Sequence, residues 1–101
     1  ISLDDTTTAT NLYRIAQEAV TNAVKHGKAE SIEIAVRRVE KQLRLNVCDD
    51  GCGISLDAKH SSDQEMGIDL MRYRARIIGG SIDIERSPDG GTSVTCSIYA
   101  P

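Results

Sequence analysis

Two pairs of alternating apolar segments in this chain are joined by connections that permit only antiparallel pairing. Ile32, Ile34 and Val36 alternate with polar neighbours, and so do Leu43, Leu45 and Val47 beyond the stretch Glu40, Lys41 and Gln42, a period of two that marks strands. Ile82 and Ile84, then Val94, Cys96 and Ile98, repeat the pattern across the turn-forming run Pro88, Asp89, Gly90 and Gly91. A parallel crossover needs a dozen or more residues, so each pair is expected to be a hairpin.

The helical period supplies the second layer. Leu12, Ile15, Ala16, Ala19, Val20, Ala23 and Val24 recur at i, i+3, i+4 and i+7, which predicts an amphipathic helix over 9–26, with Thr8 placed to cap its start and Gly27 its end. Ile68, Met71, Ala75 and Ile78 mark a second helix over 67–78, stopped by Gly79 and Gly80. Between the second strand and that helix, residues 49–66 carry Gly51, Gly53, Ser55, Ser61 and Ser62 without sustained periodicity. They read as a long loop, and long ordered loops tend to be functional. The order helix, strand, strand, loop, helix, strand, strand predicts an α+β two-layer sandwich, a mixed and mainly antiparallel sheet with the helices on one face.

At 101 residues the chain is expected to form one domain over 1–101. A net charge of -3 argues against a nucleic-acid or anionic-membrane surface, which would call for a clustered positive field. With no Trp or Phe and three Tyr, the core must be aliphatic and base stacking has little to work with. Cys48, Cys52 and Cys96 lack paired CxxC spacing, and His26 and His60 stand apart, so neither a disulfide framework nor a zinc site is expected. Cys48 and Cys96 read as small apolar side chains in or beside strands. No apolar run is long enough to span a bilayer.

Asp49 is the most informative position. The alternation Leu43, Leu45, Val47 continues to it and turns its carboxylate toward the helices, where a charge needs a partner. No nearby Arg or Lys in sequence supplies one, and Gly51 and Gly53 clear side chains from the adjoining backbone. An acceptor-only carboxylate in an apolar pocket suits the exocyclic amine of adenine. The competing reading is that Asp49 or Asp50 caps the turn after the strand, as Asp before Gly often does.

On the first helix, Glu18, Asn22 and Lys25 lie at i, i+4 and i+7 on one stripe. A Glu and an Asn on successive turns can contribute oxygen ligands to a hydrated Mg²⁺, and the Glu can also hold or activate a water. The bland alternative is a solvated face with a Glu-to-Lys pairing. Gly67, read as the start of the second helix, would point free backbone N–H groups at phosphate oxygens. Arg72 and Arg76 sit on that helix's polar side, facing solvent or another subunit, and Gly90, Gly91 and Thr92 are most simply a turn opening the last strand.

Taken together, the segments resemble the ATPase domain of sensor histidine kinases, in the branch that pairs with response regulators of the LuxR type. The superfamily, known as GHKL, also contains gyrase, MutL and a heat-shock chaperone. Gln17-Glu18-Ala19-Val20-Thr21-Asn22-Ala23-Val24-Lys25-His26 looks like its N box, and Asp49-Asp50-Gly51-Cys52-Gly53-Ile54 like its first glycine box. Met71 to Gly80 and then Gly90-Gly91-Thr92 follow in the expected order.

The resemblance implies ATP and Mg²⁺ as ligands. It makes Asn22 a metal ligand, gives Glu18 a place at the metal or as base, and brings Lys25 and His26 to the phosphates. Asp49 would bind adenine, with Gly51 and Gly53 letting the backbone pass close; Gly67 and Thr92 would belong to the nucleotide site; residues 54–66 would be the lid. It further implies a cytoplasmic domain whose parent is a homodimer, a histidine-bearing dimerisation domain that no segment here resembles, and a LuxR-type regulator downstream.

One departure stands out. The family's second glycine box has two glycines separated by one residue, and this chain reads Glu65-Met66-Gly67, so a carboxylate stands where polyphosphate would be crowded. Two other readings stay open on the sequence: an anti-sigma-factor serine kinase on the same fold, and a degenerate module that binds without catalysis.

Overall fold

A computed structural model describes residues 6–51, 62–88 and 90–99, without the side chains of 62–64. Its elements in chain order are α1 (Thr6–Lys25), β1 (Ile32–Val39), β2 (Gln42–Asp49), α2 (Ser62–Ile77), β3 (Gly80–Arg86) and β4 (Thr92–Tyr99). The strands form one sheet in the order β1-β2-β4-β3, and every neighbouring pair is antiparallel. Both expected hairpins are present. β2 and β3 each run antiparallel to β4 and therefore parallel to one another, with β4 between them, and α2 makes the crossover.

Both helices lie on the same face of the sheet. Leu12, Ile15 and Ala19 of α1 join Met71 and Ala75 of α2, with Ile78 just beyond it, in one buried cluster with Leu45, Val47, Ile82, Val94, Cys96 and Ile98. These are the alternate residues of β2, β3 and β4 that the period of two assigned to the inner face. No aromatic side chain enters this cluster, and each fully buried Leu, Ile, Val or Met contributes roughly 1.5–3 kcal/mol.

The boundaries differ from expectation in instructive ways. Thr8 is not a cap: α1 begins at Thr6, and Thr8 is buried inside it. Gly27 is not the left-handed residue that ends α1, because the positive φ belongs to Lys28, at 54°. The Asn22 carbonyl accepts from both His26 N and Gly27 N at 3.0 Å, and Ala29 N closes on Ala23 O at 2.9 Å. Val24, expected on the apolar stripe, is exposed. Ile34 and Val36 of β1 are 55% exposed, since β1 is an edge strand that the helices do not fully cover.

The largest shift is in α2, which starts at Ser62 and not at Gly67. Glu at 65, where the family has glycine, is a good helix former, and the helix runs back through it. Of the expected lid over 54–66, residues 62–66 are the first turns of α2, while 54–61 lie outside the described residues.

Candidate functional site

The middle of α1 supplies the first half of the site. Glu18, Thr21, Asn22, Lys25 and the adjoining His26 face Met66, Gly67 and Leu70 of α2 across a cavity of about 250 Å³. Five positions singled out in the sequence, Glu18, Asn22, Lys25, His26 and Gly67, are thus brought together by the pairing of two helices. Asn22 is the revealing member. It is 1% exposed, and its side-chain Nδ2 is buried with no hydrogen-bond partner. A buried polar group left unpaired costs about 1–3 kcal/mol, and most such groups in folded proteins are satisfied.

A cavity of about 290 Å³ on the opposite face of the sheet, lined by Ala35, Arg37, Val39, Arg44, Asn46 and Thr95, provides the contrast. Its asparagine is fully engaged: Asn46 Nδ2 donates to Ser93 Oγ at 2.9 Å and Thr95 Oγ1 at 2.8 Å. Among the described residues, the α1–α2 cavity combines a carboxylate, cationic side chains and an amide held in place without a partner.

Gly67 lies within this cavity but not as expected. It is the sixth residue of α2, so its N–H is engaged in the helix ladder and does not face a ligand as a free donor. What its lack of a side chain does is let α2 come close to α1. A Cβ at Gly67 would overlap Glu18 Oε1 and stand 3.2 Å from Glu18 Cδ and 3.4 Å from Asn22 Nδ2. Glu65 is exposed and is not among the cavity's lining residues.

The second half of the site is built where β2 ends. Asp49 is half-buried on the helix side, and its Oδ1 accepts from Gly51 N at 2.8 Å. That bond makes the turn-capping reading correct as far as it goes. It uses one oxygen, and no Arg or Lys pairs with the carboxylate among the described residues. Continuing the register from Cys48↔Ser93 by one residue sets Thr92, which is buried, beside Asp49.

Asp50 points the other way and is structural. Its Oδ1 accepts from Glu30 N and Ser31 N, both at 2.9 Å, tying the end of β2 to the α1–β1 connection. Those backbone donors hold its carboxyl below the ordinary carboxylate value of 3.8.

Glycines join the two halves. A Cβ at Gly51 would overlap the Gly27 carbonyl, and one at Gly91 would overlap the Asp49 carbonyl and lie 3.3 Å from Asp50 Cα. The missing side chains of Gly51 and Gly91 therefore let the backbones at 27, 49–51 and 91 meet beside Asp49, and the part played by Gly91 was not legible from its place in the sequence. From Glu18 to Lys25, the last residue of α1, the rise is roughly 10 Å. Gly53, the remaining predicted site residue, lies outside the described residues, as do Cys52 and His60. Cys96 is a core residue whose burial pushes its thiol up to about 11, and Cys48 Sγ donates to Asn46 Oδ1 at 2.8 Å on the outer face.

Residues 7–101 match the family described as histidine kinase-, DNA gyrase B-, and HSP90-like ATPase. The chain belongs to that family. Among its relatives, the nitrate/nitrite sensor protein NarX of Escherichia coli K12 is 37% identical over 86 residues, which cover 85% of this chain and 14% of NarX. An uncharacterized sensor-like histidine kinase of Chloroflexus aurantiacus is 38% identical over 94 residues, 89% of this chain and 15% of the relative. The chain thus spans a small part of the relatives it matches. Among solved structures, the ATP binding domain of PrrB from Mycobacterium tuberculosis superposes with a TM-score of 0.74 at 24% identity, covering 91% of this chain and 68% of that one. As a member of the histidine kinase-like ATPase family, the chain has the fold that its alternation and helical periods predict.

Proposed function

We propose that this domain binds ATP and acts as the catalytic part of a sensor histidine kinase, passing the γ-phosphoryl group to a histidine on a dimerisation domain elsewhere in its parent. The observation that carries the reading is the buried Asn22 amide without a partner, held beside Glu18, Lys25 and His26 in one cavity. Family membership and the NarX and Chloroflexus relatives support the same reading.

Asp49, with Thr92 beside it and Gly51 clearing the approach, binds the adenine, and Gly53 is assigned to the same site by the resemblance alone. Its free carboxylate oxygen accepts from the exocyclic amine, since no cation among the described residues pairs with it. Lys25 and His26 engage the phosphates. Glu18 and Asn22 fit Mg²⁺, offering a carboxylate and an amide oxygen once the Asn22 amide turns. Among the described residues no three His, Cys, Asp or Glu side chains converge on a metal, so phosphate oxygens and waters would complete the shell. Bound there, the metal neutralises charge on the phosphates.

In the transfer, an imidazole nitrogen of the acceptor histidine forms a bond to the γ-phosphorus while the bond to the β,γ-bridging oxygen breaks, and ADP leaves. The chain's own work is positioning. Met66, Leu70, Tyr73 and Ile77 of α2 are exposed apolar residues at i, i+4, i+7 and i+11, a stripe beginning at the cavity that supports docking of the acceptor domain there. A response-regulator aspartate, in a regulator of the LuxR type, receives the phosphoryl group next. The parent works as a homodimer, and this domain operates in the cytoplasm.

Calorimetric titration with ATP and Mg²⁺, followed by a phosphotransfer assay with the acceptor domain of the parent, tests the proposal. Binding with labelling of a histidine is the expected result. Labelling of a serine would favour an anti-sigma-factor kinase, and no heat at millimolar nucleotide with the chain folded would favour a module that has lost its ligand.

A further inference from the structure

We infer that Gly67 is a positioning residue for Glu18: its missing side chain leaves the space in which the Glu18 carboxylate stands, so α2 fixes where the acid of α1 sits. The inference rests on the reading of Glu18 and Asn22 as the metal end of the ATP site, and it gives Gly67 a role that does not involve touching the nucleotide.

Three reasons for a glycine at 67 can be weighed. A left-handed backbone is not one, since the positive-φ glycines among the described residues are Gly79 and Gly90. A free amide aimed at phosphate is not one either, because residue 67 lies inside α2, which begins at Ser62. Glycine within a helix is unfavourable compared with alanine, so close approach of another group is the reason left.

That group is Glu18. A methyl at 67 would overlap its Oε1 and come within 3.2 Å of its Cδ, while the Asn22 amide would remain 3.4 Å away. The carboxylate is the far end of a flexible side chain, so alanine would displace it and leave the two helix axes in place. The expected variant is therefore folded, at least as stable as the wild type, and defective only in what Glu18 does.

The test measures ATP affinity of the 101-residue chain with and without Mg²⁺, by calorimetry, for wild type, Gly67→Ala, Glu18→Ala and the double variant, with a thermal melt of each. Gly67→Ala is expected to melt unchanged or up to about 5 °C higher. It should keep Mg²⁺-free affinity within about twofold and lose about tenfold or more of the affinity Mg²⁺ confers, a loss on the scale seen when a group orienting a metal ligand is removed. In the Glu18→Ala background the glycine substitution should add nothing further. Equal losses with and without Mg²⁺, an additive loss in the double variant, unchanged Mg²⁺ dependence, or a melt lowered by more than about 5 °C would each overturn the inference while leaving the ATP site standing. A wild-type chain that bound no ATP would overturn both.

Discussion

Asp49 and Asp50 are neighbours with opposite duties, because the strand alternation that carries Asp49 to the helix side carries Asp50 out to solvent. Asp49 has one carboxylate oxygen engaged by Gly51 N, and in the proposed site the other is left to the ligand. Asp49→Asn exchanges an acceptor for a donor at one position, and we expect adenine nucleotide binding to weaken by about 1–3 kcal/mol; equal affinity for the variant in a titration would remove Asp49 from the site. Asp50, by contrast, supports the fold through Glu30 N and Ser31 N. Its folded carboxyl titrates below its ordinary value of 3.8, so its stabilisation is fully present above that value and is lost as pH falls through the lower folded one. The stability difference between wild type and Asp50→Asn should accordingly narrow below pH 3.8. Denaturant midpoints across an acid series check this, and a difference independent of pH would contradict it.

At the scale of elements, the helix and strand periods were legible wherever an apolar stripe met the core, as in α1, β2 and β4. They misled at ends, where the deciding forces are not apolar. The start of α2 is the clearest case: reading Gly67 as a helix opening gave weight to a motif in which glycine marks a boundary, whereas Glu65 lets the helix continue to Ser62. Glu65→Gly should therefore cost about 0.5–1 kcal/mol and reduce amide protection over the first turns of α2. A melt identical to wild type would refute the longer helix. The β1–β2 turn follows a similar logic, since Glu40 holds a φ of 56°, where a side chain is strained. Glu40→Gly is expected to leave stability unchanged or raise it by up to about 1 kcal/mol, as a denaturation series would report; a loss of more than that would place Glu40 in a role beyond the turn.

Across the whole molecule, the end of β2 carries Asp49, and two helices on one face of the antiparallel sheet leave the α1–α2 cavity between them. Met71 is 0% exposed at the centre of the core beneath it, and Met71→Ala should cost about 2–5 kcal/mol in denaturant unfolding; a cost below 1 kcal/mol would mean the core packs differently. The sequence singled out the candidate residues but not their grouping. Glu18, Asn22 and Lys25 were visible as a stripe because a helix repeats, and Asp49 because a strand alternates. The orphaned state of the Asn22 amide, and the backbone contacts of Gly27, Gly51 and Gly91, depend on elements distant in sequence and have no local pattern. The account predicts that a crystal structure of this chain with Mg²⁺ and a non-hydrolysable ATP analogue will place the adenine amine on the Asp49 carboxylate, and the metal and phosphates against Glu18 and Asn22. Nucleotide bound on the outer face of the sheet, or an adenine that leaves Asp49 bonded to Gly51 alone, would contradict it.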